Sequence, residues 1–250
     1  MKENALADVT TDYLATVPVL VLAGGLGTRL RPTYEEGPKV MAPVDGHPFL
    51  AYVLRGLHVA GFRRIILCGG YRHESIRSWL GNGQRSGLDA AYSVEIEPLG
   101  TGGAILQAAS RFSHDERFIA LNGDSLLQLD FKSMFKMHLD CHAVATIALA
   151  FVQNTGRYGT VEIDDQENVR GFHEKSGSHQ AGFINGGVYL FEPEMLHLIP
   201  RGRSVSLERE VLPLLVPQSF RAFKSQGHFI DIGIPEDFER AQVELKGLLS

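Results

Sequence analysis

The chain has 250 residues, 44% hydrophobic and 21% charged, a balance that fits one globular domain with a core large enough to need no staple. A net charge of −5 with scattered Lys and Arg excludes a concentrated basic face, so no nucleic-acid partner is expected. No run approaches a membrane span or a signal-peptide core, and Cys68 and Cys141 sit in apolar runs without a Cys-x-x-Cys pair. These features predict a cytoplasmic protein with two buried thiols, no zinc site and no membrane contact.

Residues 1–16 read as an N-terminal extension, either disordered or packed, for instance on a neighbouring copy in a homo-oligomer. The domain then spans 17–250, with a first half over about 17–140 and a second half over about 141–250. Val19–Ala23 is a short continuous apolar run, which suits a strand buried on both faces. Phe49–Ala60 has one helical apolar face and ends at Gly61. Arg64–Cys68, Ala90–Glu95 and Phe118–Asn122 read as further strands, and His73–Leu80 as a helix. Thr101 is placed to cap a helix running through Ala109. Strand and helix alternating in this way predict a parallel sheet covered on both faces, with ligands at the carboxyl ends of its strands. In the second half, 143–152, 160–163 and 187–191 read as strands with little helix between them, which predicts a mixed or antiparallel extension. Helices return at 206–215 and 236–249. The ten histidines form no ligand set and read as surface or satisfied groups, and Trp79 reads as packing.

The richest stretch is Leu22-Ala23-Gly24-Gly25-Leu26-Gly27-Thr28-Arg29-Leu30-Arg31-Pro32. Three glycines after a buried strand let backbone N–H groups crowd around an anion. Arg29, and Lys39 in Gly37-Pro38-Lys39-Val40-Met41-Ala42-Pro43, are cations that can neutralise a triphosphate and the charge that develops during phosphoryl transfer. The pattern is neither the dinucleotide fingerprint nor the Walker loop.

These two strings together resemble the nucleotidyltransferase family of sugar-nucleotide pyrophosphorylases, and the resemblance runs on to Asp237. It implies an α/β fold, a Rossmann-like three-layer α/β/α sandwich with a mixed, mostly parallel central sheet. It also implies attack of a sugar phosphate oxygen on the α-phosphorus of a nucleoside triphosphate. By the same resemblance Leu22, Ala23, Gly24, Gly25, Gly27 and Thr28 line the nucleotide. Arg29 sits on the leaving pyrophosphate, and Lys39 on the phosphates at the reacting centre; the resemblance also makes about 17–140 the nucleotide half and about 141–250 the sugar-phosphate half.

Asp124 follows a strand end in Leu121-Asn122-Gly123-Asp124, and Asp231 lies between apolar residues in Phe229-Ile230-Asp231-Ile232-Gly233. Each suits either a structural pairing or a Mg2+ ion that takes one or two carboxylates plus phosphate oxygens. The family pattern has a metal aspartate at both positions. No basic catalyst is required, because the attacking phosphate is already ionised.

Glu97, in Glu97-Pro98-Leu99-Gly100-Thr101-Gly102-Gly103-Ala104, stands where uridylyl and thymidylyl relatives carry Gln. The two adjacent donors of guanine suit a carboxylate, so GTP is the expected nucleotide. Gly102 and Gly103 are expected to let the backbone approach base or ribose. Asn122, Gly159, Glu174, Lys175, Asn185 and Gly186 resemble the family's sugar-phosphate stations. Lys175 would hold the phosphate, Glu174 and Asn185 the hydroxyls, and the glycines would leave room for the ring. The closing string and the short length look like the guanylyltransferases that act on heptose 1-phosphate. Mannose-1-phosphate guanylyl transfer, or uridylyl or thymidylyl transfer to another sugar, is the alternative. A non-catalytic nucleotide-sugar sensor is disfavoured because Arg29, Lys39 and both aspartates are present. A glycosyltransferase is disfavoured because Asn122-Gly123-Asp124 lacks the paired acid of an Asp-x-Asp motif.

Overall fold

The computed structural model describes residues 9–25, 30, 34, 36–113, 115–173 and 180–249. In chain order the elements are α1 (Thr11–Thr16), β1 (Val19–Leu22), β2 (Pro43–Val44), β3 (His47–Pro48), α2 (Phe49–Ala60), β4 (Arg64–Gly69), α3 (His73–Leu80), β5 (Asp89–Val94) and α4 (Gly100–Ala108). They continue with β6 (Phe118–Asn122), β7 (Ser125–Leu127), α5 (Phe131–Asp140), β8 (Ala145–Val152), β9 (Thr160–Ile163), β10 (Val169–His173) and β11 (Gly182–Phe191). After a π-type turn at Leu207–Val211 come α6 (Leu212–Leu215), β12 (Phe220–Ser225), β13 (Phe229–Asp231) and α7 (Pro235–Glu244).

One large sheet runs through the molecule. β6, β1, β4 and β5 are parallel neighbours. β11 is antiparallel to β6, to β8 and, at its start, to β9, and β12 lies parallel to β8. The strands are apolar on both faces because helices cover both. Val19 and Val21 belong to the core beneath α2 and α5, while Leu20 joins Ile66, Ala104 and Ile105 on the other side. This is the expected three-layer architecture, parallel in the first half and mixed in the second.

Several expectations needed correction. Thr101 does not cap α4: it lies inside the helix, donates to Glu208 Oε2 at 2.8 Å and accepts from Leu207 N at 2.8 Å. Cys141 ends α5 and is only half-buried, whereas Cys68 is buried and its thiol is held protonated by burial, with the charge of Glu95 adding to this. Trp79 faces outward enough to be 39% exposed, so it is not a core residue. β11 starts at Gly182 rather than 187, and α7 stops at Glu244. The described part of the N-terminal extension is docked: Leu14 is fully buried, and Thr10 accepts from Tyr13 N to cap α1. Gly61 ends α2 with φ +111°, and a Cβ there would meet Thr11 Cγ2 at 2.8 Å. The glycine thus serves both the helix stop and the close approach of α1.

Among the described residues no helix is long and apolar enough to cross a membrane.

Candidate active site

β1 delivers Leu22, Ala23, Gly24 and Gly25 to the carboxyl edge of the parallel strands. Ala23 N donates to Cys68 O at 2.7 Å and Gly123 N to Leu22 O at 2.8 Å, so the glycine turn is tied to both neighbouring strands. Gly25 is exposed, and a Cβ on it would meet none of the described residues within 4 Å. Gly27, Thr28 and Arg29 lie outside the described residues, as do Glu174 and Lys175.

Lys39 opens a single turn of 3-10 helix, Lys39–Met41, anchored by the buried side chain of Val40. Its ammonium lies 2.5 Å from Asp124 Oδ2 and 3.8 Å from Asp231 Oδ1. The two aspartates come from positions far apart in sequence. A short antiparallel ribbon brings them together, pairing Asp231 of β13 with Ser125 of β7. Ile232 N donates to Asp124 O at 3.1 Å, which extends the ribbon by one bond. Asp231 also accepts from Gly233 N at 2.7 Å. Burial, and then the negative charge of Asp124, raise the Asp231 carboxyl above its ordinary value, while Lys39 and Gly233 oppose that shift. Two crowded carboxylates of this kind require positive charge between them.

Two oxygen-donor groups that converge on one cationic position match what Mg2+ takes from a protein when phosphate oxygens complete its shell. Among the described residues there is no group of three or more His, Cys, Asp or Glu that would form a cage without substrate.

The glycine-rich turn into α4 behaves differently from its sequence reading. Gly102 and Gly103 are buried, and their N–H groups both point at Val205 O, at 2.9 and 3.4 Å. A Cβ on Gly102 would sit 3.1 Å from Val205 Cγ1, and one on Gly103 would sit 2.8 Å from Leu99 Cβ. Packing against the segment around Val205, and within the turn itself, therefore accounts for both glycines. Glu97 is exposed. The carboxylate lying against the glycine turn is Glu95, which sequence reasoning passed over. It accepts from Leu99 N at 2.9 Å, and a Cβ on Gly24 would be 2.8 Å from its Oε1. The available signal was its place directly after β5, at the carboxyl end of a strand.

On the other side of the aspartates, Asn122 is the last residue of β6. Gly187, at φ +72°, passes so close that a Cβ would lie 2.7 Å from Asn122 Nδ2. Asn185 Nδ2 donates to Tyr189 OH at 2.8 Å, and Asn185 Oδ1 accepts from Gly187 N at 2.9 Å. These bonds fix the bulge in β11 between Asn185 and Val188. Gly186 is required by packing: a Cβ would sit 2.7 Å from Leu127 Cδ2 and 2.9 Å from Ala148 O. Gly159 lies against β10, where a Cβ would be 3.0 Å from His173 O. A separate cavity of about 630 Å3 between α2, β7 and α7 is lined by none of the residues expected at the site.

A glycine turn at the edge of a doubly covered sheet, beside two aspartates that share a lysine, defines the class: an α/β protein built to hold a phosphorylated nucleotide. Residues 18–247 match the nucleotidyl transferase family, and the chain belongs to it. It is 42% identical to a D-glycero-alpha-D-manno-heptose 1-phosphate guanylyltransferase of Aneurinibacillus thermoaerophilus, over 91% of this chain and 97% of that one. It is 36% identical to a mannose-1-phosphate guanylyltransferase of Mycobacterium tuberculosis, over 92% of this chain but only 64% of that longer protein. Among solved structures it resembles HddC from Yersinia pseudotuberculosis complexed with GMP-PN, with a TM-score of 0.83 and 35% identity, covering 92% of this chain and 100% of that one.

Proposed function

We propose that the protein transfers GMP from GTP to D-glycero-α-D-manno-heptose 1-phosphate, giving GDP-heptose and pyrophosphate. The observation that carries this reading is the Lys39–Asp124–Asp231 cluster beside the end of β1, where Gly123 N donates to Leu22 O and Gly25 is exposed. The heptose 1-phosphate guanylyltransferase of A. thermoaerophilus, similar along nearly its whole length, supports the substrate pair.

In the proposed reaction a phosphate oxygen of the sugar 1-phosphate bonds to the α-phosphorus of GTP. The bond from that phosphorus to the bridging oxygen breaks, and pyrophosphate leaves with the electron pair. The nucleophile is already ionised, so the chain's work is positioning and charge neutralisation. Gly24 and Gly25 admit the nucleotide against the end of β1, with Gly27, Thr28 and Arg29 continuing that loop by sequence. Lys39 offsets negative charge at the reacting phosphates. Asp124 and Asp231 would hold Mg2+, which when bound would neutralise the phosphates and orient them. Glu97 accepts from the two guanine donors. Asn122, Gly159, Glu174, Lys175, Asn185 and Gly186 form the sugar side, where Asn185 keeps one amide hydrogen for a hydroxyl. The protein is expected to work in the cytoplasm. The mannose-1-phosphate guanylyltransferase relative keeps mannose as the second sugar to test.

The test is pyrophosphate release with Mg2+, crossing GTP, ATP, UTP, CTP and dTTP with heptose, mannose and glucose 1-phosphates. Turnover is expected with GTP and heptose 1-phosphate. Preference for UTP or dTTP would discard the role of Glu97, and silence in every combination would discard the reaction.

A further inference from the structure

Arg157 has no part in the site described so far. Its Nη2 donates to Asp237 Oδ2 at 2.7 Å. Asp237, only 5% exposed in the first turn of α7, also accepts from Arg240 Nη1 at 3.2 Å. Arg240 has a further partner in Glu244, at 3.3 Å. Arg157 has no second carboxylate within ion-pair distance among the described residues, and its side chain stays 46% exposed. The pair therefore consists of a buried anchor and an open cation. Burial works against the charge of Arg157, but the hydrogen bond and charge of Asp237 and the charges of Tyr158 and Asp231 outweigh it and hold the guanidinium protonated.

The neighbours of Arg157 fix where it stands. The Tyr158 ring packs edge-on against Phe229, with centroids 6.0 Å apart, and Phe229 shares β13 with Asp231. Gly159 lies against the His173 carbonyl, and Thr160 pairs with His173, the residue that leads into Glu174 and Lys175. The segment that Arg157 opens thus packs on the strand of Asp231 through Tyr158 and on the end of β10, at His173, through Gly159. Lys39 approaches the aspartates from the nucleotide half.

We propose that Arg157 binds the phosphate of the incoming sugar 1-phosphate, with Asp237 as the positioning residue that aims its guanidinium. This rests on the sugar-1-phosphate guanylyltransferase reading above. A planar fork of donors suits a phosphate dianion, and a carboxylate that occupies one end of the fork leaves the remaining N–H groups pointing in a fixed direction. The division of labour follows: Lys39 serves the nucleotide phosphates and Arg157 the acceptor phosphate.

Steady-state kinetics of the full-length wild type, Arg157→Ala, Arg157→Lys and Asp237→Asn test it, with GTP and heptose 1-phosphate varied separately. Arg157→Ala should raise the sugar-phosphate KM about tenfold or more, while the KM for GTP stays within about twofold. Arg157→Lys should recover part of that loss, because a point charge replaces the fork. Asp237→Asn should raise the same KM by a smaller factor. Inorganic phosphate should compete with the sugar phosphate in the wild type and compete less well in Arg157→Ala. An unchanged sugar-phosphate KM in Arg157→Ala, or equal rises in both KM values, overturns the inference. If Arg157→Ala does not fold, Arg157→Lys carries the test, and a wild-type KM for sugar phosphate in that variant overturns it. A wild type inactive on every sugar phosphate removes the parent reading and this inference with it, whereas an active wild type with an indifferent Arg157→Ala removes this inference alone.

Discussion

Gly25 and Gly186 sit in the two halves of the molecule, and they differ in what surrounds them. A Cβ on Gly25 would meet none of the described residues within 4 Å, while one on Gly186 would collide with Leu127 Cδ2 at 2.7 Å and Ala148 O at 2.9 Å. The first glycine follows the end of a parallel strand, at the carboxyl edge of the sheet. The second lies inside an antiparallel strand, where a bulge lets β11 pass close to β7 and β8. The parallel half gathers its loops on one edge and keeps a surface for a ligand. In the antiparallel half backbone comes close to backbone, and its open polar groups sit on side chains such as Arg157. A Gly-rich string in sequence can mean either arrangement, and only packing tells them apart.

The largest expected effect comes from the point where the halves meet. Lys39→Ala should lower kcat for GTP turnover by about 10² to 10³, the range seen when one preorganised charge-stabilising donor is lost. Melting temperature should shift by only a few degrees, since the lysine is not part of either core cluster. A variant that melts far earlier, or that keeps its turnover, breaks the account of Lys39.

Glu97→Gln should lower kcat/KM for GTP by about 10-fold to 100-fold, the loss of charge-assisted hydrogen bonds of about 1.5–3 kcal/mol. Activity with UTP should change little, so the ratio of the two nucleotides is the readout. An unchanged ratio would move attention to Glu95, the carboxylate that lies against Gly24.

The two glycines give the sharpest contrast at lower amplitude. Gly25→Ala should raise the KM for GTP about tenfold and leave the melting temperature where it was. Gly186→Ala should do the reverse. Overpacking costs about 1–3 kcal/mol, or about 2–4 °C per kcal/mol for a chain of this size, with the KM for GTP nearly unchanged in the folded fraction. Thermal melts and kinetics on the same preparations decide it, and identical behaviour of the two variants would erase the distinction drawn between the halves.

The smallest effect lies at the opposite edge of the sheet, away from the site. Glu192, just after β11, accepts from Arg117 at 2.8 Å and meets His138 Nε2 at 3.1 Å, while His138 Nδ1 meets Thr146 Oγ1 at 2.8 Å. Burial opposes the charge of Glu192, but His138 and Arg117 prevail and hold its carboxyl below the ordinary value of 4.5. A carboxyl depressed in the folded state contributes stability above its unfolded value, and that contribution fades as pH falls through the folded value. The gap in melting temperature between wild type and Glu192→Gln should therefore be widest near neutral pH and narrow below about pH 4.5. A gap that is constant from pH 7 to pH 3 would contradict the pairing.

Legibility from sequence followed the same division. β1, α2, β4, α3 and β6 were read to within a residue, because a doubly covered strand is a continuous apolar run and α2 ends on a glycine. β7 and β13 were missed: each is three residues long, and they pair across about a hundred residues, so neither has a local signature. α5 was given no bounds from sequence although its signals are present, with Asp130 accepting from Ser133 N and Phe131, Met134, Phe135 and His138 on one buried face. The functional strings around Gly24, Lys39, Asp124 and Asp231 were legible as sequence, but the lysine shared by two aspartates was not. Arg157 gave no sequence signal, because its anchor Asp237 is 80 residues away.

The most direct test of the central claim, that Asp124 and Asp231 together serve one metal-dependent guanylyl transfer beside Lys39, is a Mg2+ titration of turnover in wild type, Asp124→Asn and Asp231→Asn. The account predicts no wild-type turnover in EDTA, full recovery with Mg2+, and a Mg2+ requirement raised about tenfold or more in both variants. Turnover that persists in EDTA, or variants that saturate at the wild-type Mg2+ concentration, would contradict it.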